Sequence, residues 1–208
     1  MAQPPRKLPT QQRSRERVDL ILRSAGQLLA EKGLESLTTN AIADRAGIPI
    51  GSLYQFFGDK DQIIGELLRR FSGEITEFLL RDLRAEDLRS NPAQFVHALV
   101  TGIGRIQAQY DGFVCLFAPG AGHDRLSASA DELKRIIAER LNVIFAAGMP
   151  QLPGQERSRV IDVWMDITRG MIGSLDRSAP ANRSTLIEEL QLVLLSYLKA
   201  KLASAVVP

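Results

Sequence analysis

Apolar positions along the first third of the chain fall at Val18, Ile21, Leu22, Ala25, Leu28 and Leu29. That is the i, i+3, i+4, i+7 rhythm of a helix with one buried face, and it predicts a first helix over about 12–32. Gly33 ends it, because glycine takes a left-handed backbone at no steric cost. Thr38 or Thr39 then caps a second helix reaching about residue 46. A third is expected over about 50–56. Asp59 caps a fourth that carries Ile63, Ile64, Leu67, Leu68, Phe71, Ile75, Phe78 and Leu79. Asn91, Pro92 and Gln94 form a capping-box-like start for a helix to about 110. Residues 111–125 read as a loop. Ser129 with Glu132 opens another helix to about 147, and two more are expected over 155–176 and 182–203.

No strand alternation and no tandem repeat interrupts this pattern. The expectation is an all-α fold of about nine helices. Residues 1–13 form a flexible basic arm with three prolines in its first ten positions. Residues 14–75 form a small three-helix module with a helix-turn-helix over 38–57. Residues 76–208 form a larger helical body, joined to the module through the shared fourth helix.

Charge sharpens the division. The net charge is only +2, but residues 1–60 hold 9 Lys and Arg against 6 Asp and Glu, and residues 1–23 hold 6 against 2. A positive end on a neutral body points to an anionic partner such as nucleic acid, although a solvated basic tail has the same composition. No run reaches the roughly 20 apolar residues needed to span a bilayer. The opening "MAQPPRKLPTQQRSRER" has no apolar core of a secretory signal, and the single Cys115 cannot pair within the chain. Both lead to a cytoplasmic expectation with no membrane partner.

The stretch "AIADRAGIPIGSLYQFFGDKDQII" (41–64) is where chemistry enters. A helix-turn-helix needs a small residue at the crossing, a turn residue tolerating positive φ, and an apolar residue pointing back. Ala43, Gly47 and Leu53 stand at those places, with Ile42, Ile48 and Phe56 in the shared core. The outer face of the third helix then presents Ile50, Gly51, Ser52, Tyr54 and Gln55. Gln55 can offer a donor and an acceptor to an adenine edge. Ser52 and the Tyr54 hydroxyl suit phosphate oxygens. Gly51 lets the backbone come close to DNA. Lys60, just after the Asp59 cap, adds an ammonium to a helix N-terminus, a natural phosphate site.

Together these residues resemble the TetR-type transcriptional regulators. The resemblance covers about 14–73, in "ILRSAGQLLAEKGLESLTTNAIADRAGI" and in "GSLYQFFGDKDQI", whose Gly51-x-Leu53-Tyr54-x-Phe56-Phe57-x-x-Lys60 spacing is specific. It implies a homodimer that binds double-stranded DNA at a near-palindromic operator, and a small-molecule effector of unknown identity entering the C-terminal body. Carried over by position, the DNA contacts fall on Thr38, Thr39, Pro49, Ile50, Gly51, Ser52, Tyr54, Gln55 and Lys60. The chain departs from the family pattern twice. Pro49 stands where a hydroxyl residue is usual, and Phe56 where histidine is common.

The body gives softer signals. Ile161, Met165, Gly170, Ile172 and Gly173, with Leu190, Leu194 and Tyr197 on the last helix, are expected at a two-fold dimer seam, because a terminal helix apolar nearly all round needs cover. Phe71, Phe78, Phe95, Leu99, Tyr110, Phe113, Phe117 and Trp164 are candidates to line a ligand pocket; the competing reading is that they are simply core. Asp166 and Arg169 suit a polar ligand group or a salt bridge between themselves and neighbours. The 111–125 loop reads equally as a gate or a connection.

No P-loop, GxGxxG or HExxH occurs, and two histidines with one cysteine, widely spaced, do not make a metal cluster or a Cys-His nucleophile. No cofactor, no metal and no catalytic residue is expected. The rival function is a helical adaptor or small-molecule binder without DNA-binding activity.

Overall fold

The computed structural model describes residues 10–112, 124–177 and 180–205, and among these it contains helices and no strand. In chain order the helices are α1 (Thr10–Lys32), α2 (Thr39–Ala46), α3 (Ile50–Tyr54), α4 (Lys60–Arg81), α5 (Ala85–Ser90), α6 (Pro92–Gln107), α7 (Asp124–Gly148), α8 (Gly154–Arg177) and α9 (Pro180–Ala205). The all-α expectation holds.

Three boundaries differ from the sequence reading. Helix α3 has five residues, not seven. The Phe56 and Phe57 N–H groups both turn back to the Leu53 carbonyl, at 2.9 and 3.0 Å, and this swings the Phe57 ring into the core. Helix α5 was not anticipated. It offers one buried residue, Leu88, so it is too short to show a period. Its last N–H bond falls on Asn91, which also caps α6 through the Gln94 N–H at 3.2 Å. Helix α6 stops at Gln107, which leaves Tyr110 in the turn beyond it. Helix α7 begins at Asp124, a full turn before Ser129.

Two hydrophobic cores are threaded on one helix. Ile63, Ile64, Leu67 and Leu68 of α4 pack with α1, α2 and α3 around Ile21, Leu29, Ile42 and Leu53. Phe71, Ile75, Phe78 and Leu79 of the same helix pack with α5–α9 around Phe95, Phe145 and Trp164. Between the two sets Arg70 bonds Asp19 of α1 at 2.6 Å and Glu66 of α4 at 3.0 Å. Arg45 of α2 is held by Glu31 of α1. In the body, α7 lies against α4, α5 and α8, and α9 against α6 and α8. Helix α6 comes so near α4 that a Cβ on Gly102 would lie 2.1 Å from Phe78 Cζ, so only glycine fits there.

Candidate nucleic-acid interface and ligand cavity

The turn between α2 and α3 is built as the residue pattern requires. Gly47 has φ 62° and ψ 37°, the left-handed region, and its N–H reaches the carbonyls of Ala43 and Asp44. The Ile48 N–H also returns to Ala43, at 3.0 Å, which satisfies the carbonyls left over at the end of α2. Thr38 caps α2, its hydroxyl oxygen accepting the Ala41 N–H at 3.1 Å. Ala43 and Leu53 are fully buried at the crossing, so α3 is anchored by one side.

The other side faces outward. Pro49, Gly51, Tyr54 and Gln55 are exposed, Tyr54 by 52% although it is aromatic. Nothing in the protein lies within 4 Å of a Cβ built on Gly51, so no internal contact demands glycine there. Ser52, Thr39 and Lys60 are half-buried at the edge of this face. Ile50 is half-buried too, and packs on the first core rather than standing clear of it. The Thr39 and Tyr54 hydroxyls sit 3.3 Å apart, which ties the start of α2 to the end of α3. Fifteen residues separate them, and no sequence signal announces the pair.

At the head of α4 a reciprocal cap holds the chain. Asp59 accepts the Gln62 N–H at 2.8 Å, and the Gln62 side chain accepts the Gly58 N–H at 2.9 Å. Lys60 is thereby fixed in the first turn, beside N–H groups that have no partner within the helix.

In the body, a cavity lies among α4, α6, α7 and α8, with about 820 Å³ of empty space including its mouth. Phe71 and Ile75 come from α4, Leu99 and Ile103 from α6, Leu133, Ile137 and Leu141 from α7, and Trp164 and Met165 from α8. Lys134, Asp166, Thr168 and Arg169 supply its polar part. Lys134 pairs with Asp166 at 2.9 Å. The Trp164 ring meets Phe145 edge-on at 5.2 Å, and its buried N–H has no hydrogen-bond partner. Next to the cavity, Tyr110 stacks edge-on against Phe71 at 5.6 Å and donates to Glu74 at 2.5 Å. Burial, then the neighbouring Glu74 carboxylate, pushes the Tyr110 hydroxyl well above its ordinary range, so it stays a donor.

Two family models match the chain. Residues 21–67 match "Bacterial regulatory proteins, tetR family", and residues 87–198 match "Tetracyclin repressor-like, C-terminal domain". The chain belongs to the TetR family.

Relatives within the family are regulators by name. The HTH-type transcriptional repressor KstR2 of Rhodococcus jostii (strain RHA1) is 34% identical over 135 residues, 65% of this chain and 58% of the relative. KstR2 of Mycolicibacterium smegmatis is 44% identical over 63 residues, 30% of each chain. The chain thus spans between a third and three fifths of these relatives' lengths. A TetR-family regulator structure from Streptomyces coelicolor superposes with a TM-score of 0.59 at 26% identity, covering 89% of this chain and 99% of that one. A TetR-family structure from Syntrophomonas wolfei has a TM-score of 0.71 at 17% identity, with 91% and 96% coverage, a likeness of fold. Among the described residues no helix is long and apolar enough to cross a membrane, and no group of His, Cys, Asp and Glu is placed to hold a metal ion.

Against the family's architecture the remaining expected residues divide. Phe71, Leu99 and Trp164 do line the cavity. Phe78 and Phe95 do not. Phe78 is spent against Gly102, and Phe95 is 1% exposed and packs edge-on against Phe145. Phe113 and Phe117 lie outside the described residues. The α7 wall and the polar group of Lys134 and Thr168 were missed, because nothing local distinguishes a cavity wall from core.

The seam needs correction as well. Ile161, Leu190 and Leu194 are 1–2% exposed within a single protomer, where they fill the second core, so they cannot meet a partner. Met165 is used by the cavity. Gly170 is exposed with open space around it, and Tyr197 is half-buried. The side chains of Ile172 and Gly173 lie outside the described residues. What α9 leaves uncovered is Leu192, 57% exposed, and Val193, 42% exposed.

Proposed function

We propose that this protein is a ligand-responsive transcriptional repressor that acts in the cytoplasm and binds a near-palindromic operator as a dimer. The observation that carries this reading is the two-sided α3. Leu53 is wholly buried, while Gly51, Tyr54 and Gln55 are exposed on a helix that protrudes beside Lys60. The vacant surroundings of Gly51 suit a nucleic-acid backbone at close range. Gln55 reads a base edge, and Ser52, Tyr54, Thr38, Thr39 and Lys60 hold phosphates. The Thr38 oxygen already serves its cap, so its O–H is what remains to donate.

Dimerisation through α8 and α9 gives Leu192 and Val193 the cover that one protomer lacks, with Gly170 allowing close approach. Effector control follows from α4. The helix that begins at Lys60 also supplies Phe71 and Ile75 to the cavity, so a ligand that displaces those rings moves the operator-reading module.

The test is a gel-shift titration of genomic fragments at several salt concentrations. A protein neutralising 6–10 phosphates loses about 10³–10⁵ in affinity between 50 and 200 mM salt. Binding that ignores salt, or that never appears, would favour a helical adaptor instead.

A further inference from the structure

The cavity's own chemistry narrows what can enter it, given the reading above that the body takes a small effector. We infer that the ligand is an apolar molecule carrying one carboxylate. Its body is set by the walls, where Leu99, Ile137, Leu141 and their neighbours offer only hydrocarbon, so a molecule gains there by leaving water.

Its charge is set by the polar part. Lys134 and Arg169 bring two positive charges and Asp166 one negative. The Lys134–Asp166 pair is self-balanced, and the surplus is a single positive charge. A carboxylate monoanion matches that surplus. A cation is repelled by it, and a dianionic phosphate exceeds it.

A third, independent feature asks for an oxygen acceptor. The Trp164 N–H is buried, its residue only 2% exposed, and it has no partner. The ring cannot turn freely to find one, because Phe145 holds it edge-on at an interplanar angle of 87°. An unpaired buried donor is a standing cost that a ligand oxygen removes. Hydrocarbon alone would leave the indole unsatisfied, and an alcohol would leave the surplus charge unmatched.

Trp164 is the only tryptophan in the chain, so its emission reports the cavity directly. The full-length protein, without DNA, is titrated with dodecanoate and adamantane-1-carboxylate, then with dodecanol, 1-adamantanol and dodecyltrimethylammonium. At least one acid is expected to change the emission and to bind about tenfold or more tighter than its alcohol, with the ammonium ion weaker still. Arg169→Gln should bring the acid down to the level of its alcohol while leaving the alcohol unchanged. Lys134→Gln, which leaves Asp166 uncompensated, should weaken the acid as well and serves if the first variant does not fold. Trp164→Phe, followed by calorimetry, should weaken acid binding. Equal affinity for acid and alcohol, a preference for the ammonium ion, or no response to either acid overturns the ligand class. A gel shift on the same preparation separates the two readings. Protein that shifts DNA but ignores both acids loses only the ligand class, and protein that binds an acid but never shifts DNA loses only the operator reading.

Discussion

The two halves of α4 face two different kinds of interior. Toward its start, Ile63 and Ile64 are 0 and 1% exposed, in a core closed by Leu53, Ile42 and Phe57. Toward its end, Phe71 and Ile75 are just as covered by the count of solvent, yet they border empty space and a tryptophan N–H without a partner. The first interior has to hold a five-residue helix rigidly against the pull of whatever it contacts. The second gives up packing density, and with it stability, where something else is to be accommodated. One continuous helix carries both, so a change in the second interior has a stiff path to the first.

The largest effect expected from this contrast is at Leu53. Leu53→Ala removes a fully buried side chain from the closed core and should cost about 2–5 kcal/mol, read as a lower urea midpoint. A cost near zero would mean that the first interior has slack after all. Gly102→Ala tests the other interior. The new methyl collides with the Phe78 ring, and overpacking of this kind costs about 1–3 kcal/mol. If the ring simply swings toward the cavity, thermal unfolding will barely change, and the body is more yielding than its packing indicates.

A comparably large effect, on recognition rather than stability, divides Gln55 from Lys60. Gln55→Ala should relax preference at one base position by about 1–3 kcal/mol, while Lys60→Ala should weaken all sequences alike and flatten the salt slope by about one ion. Competition gel shifts over a panel of operator variants distinguish the two, and identical profiles would dissolve the assignment.

The smallest expected signal is Tyr110. Its hydroxyl ionises above the ordinary value of about 10, because burial and then Glu74 disfavour the phenolate. A group whose pKa is raised on folding contributes stability that is complete below its unfolded value. That contribution fades as pH climbs through the folded one. Alkaline titration at 295 nm should show a late tyrosine step that vanishes in Tyr110→Phe, and the variant should lose less stability than the parent above pH 10. A single step unaltered by the substitution would place Tyr110 in water.

How much of this was readable in advance follows the range of the interaction involved. Gly47, the Thr38 cap and the Asp59–Gln62 box each act within a few residues, and each stands as its residue type demanded. The end of α3 did not, because the return of Phe57 to the core depends on what α1 and α4 leave open. Helix α5 was invisible since one apolar residue has no period. In the body, Leu190 and Leu194 carry the same apolar signal as Leu192 and Val193, yet the first pair is core and the second exposed. Composition cannot separate them. Direction around the helix, relative to α6 and α8, does.

The sequence by itself determined the helices, their caps, the left-handed turn at Gly47 and the type of residue offered on α3. Those rest on backbone sterics and hydrogen bonds between near neighbours, which any stretch of chain carries with it. Only the tertiary structure decided the cavity, the close pass of α6 over α4, the unpartnered N–H of Trp164 and the pairing of Thr39 with Tyr54. Each depends on how helices far apart in the chain, such as those bearing Phe71 and Arg169, come to rest against one another. Local preference does not encode that mutual position, and packing does.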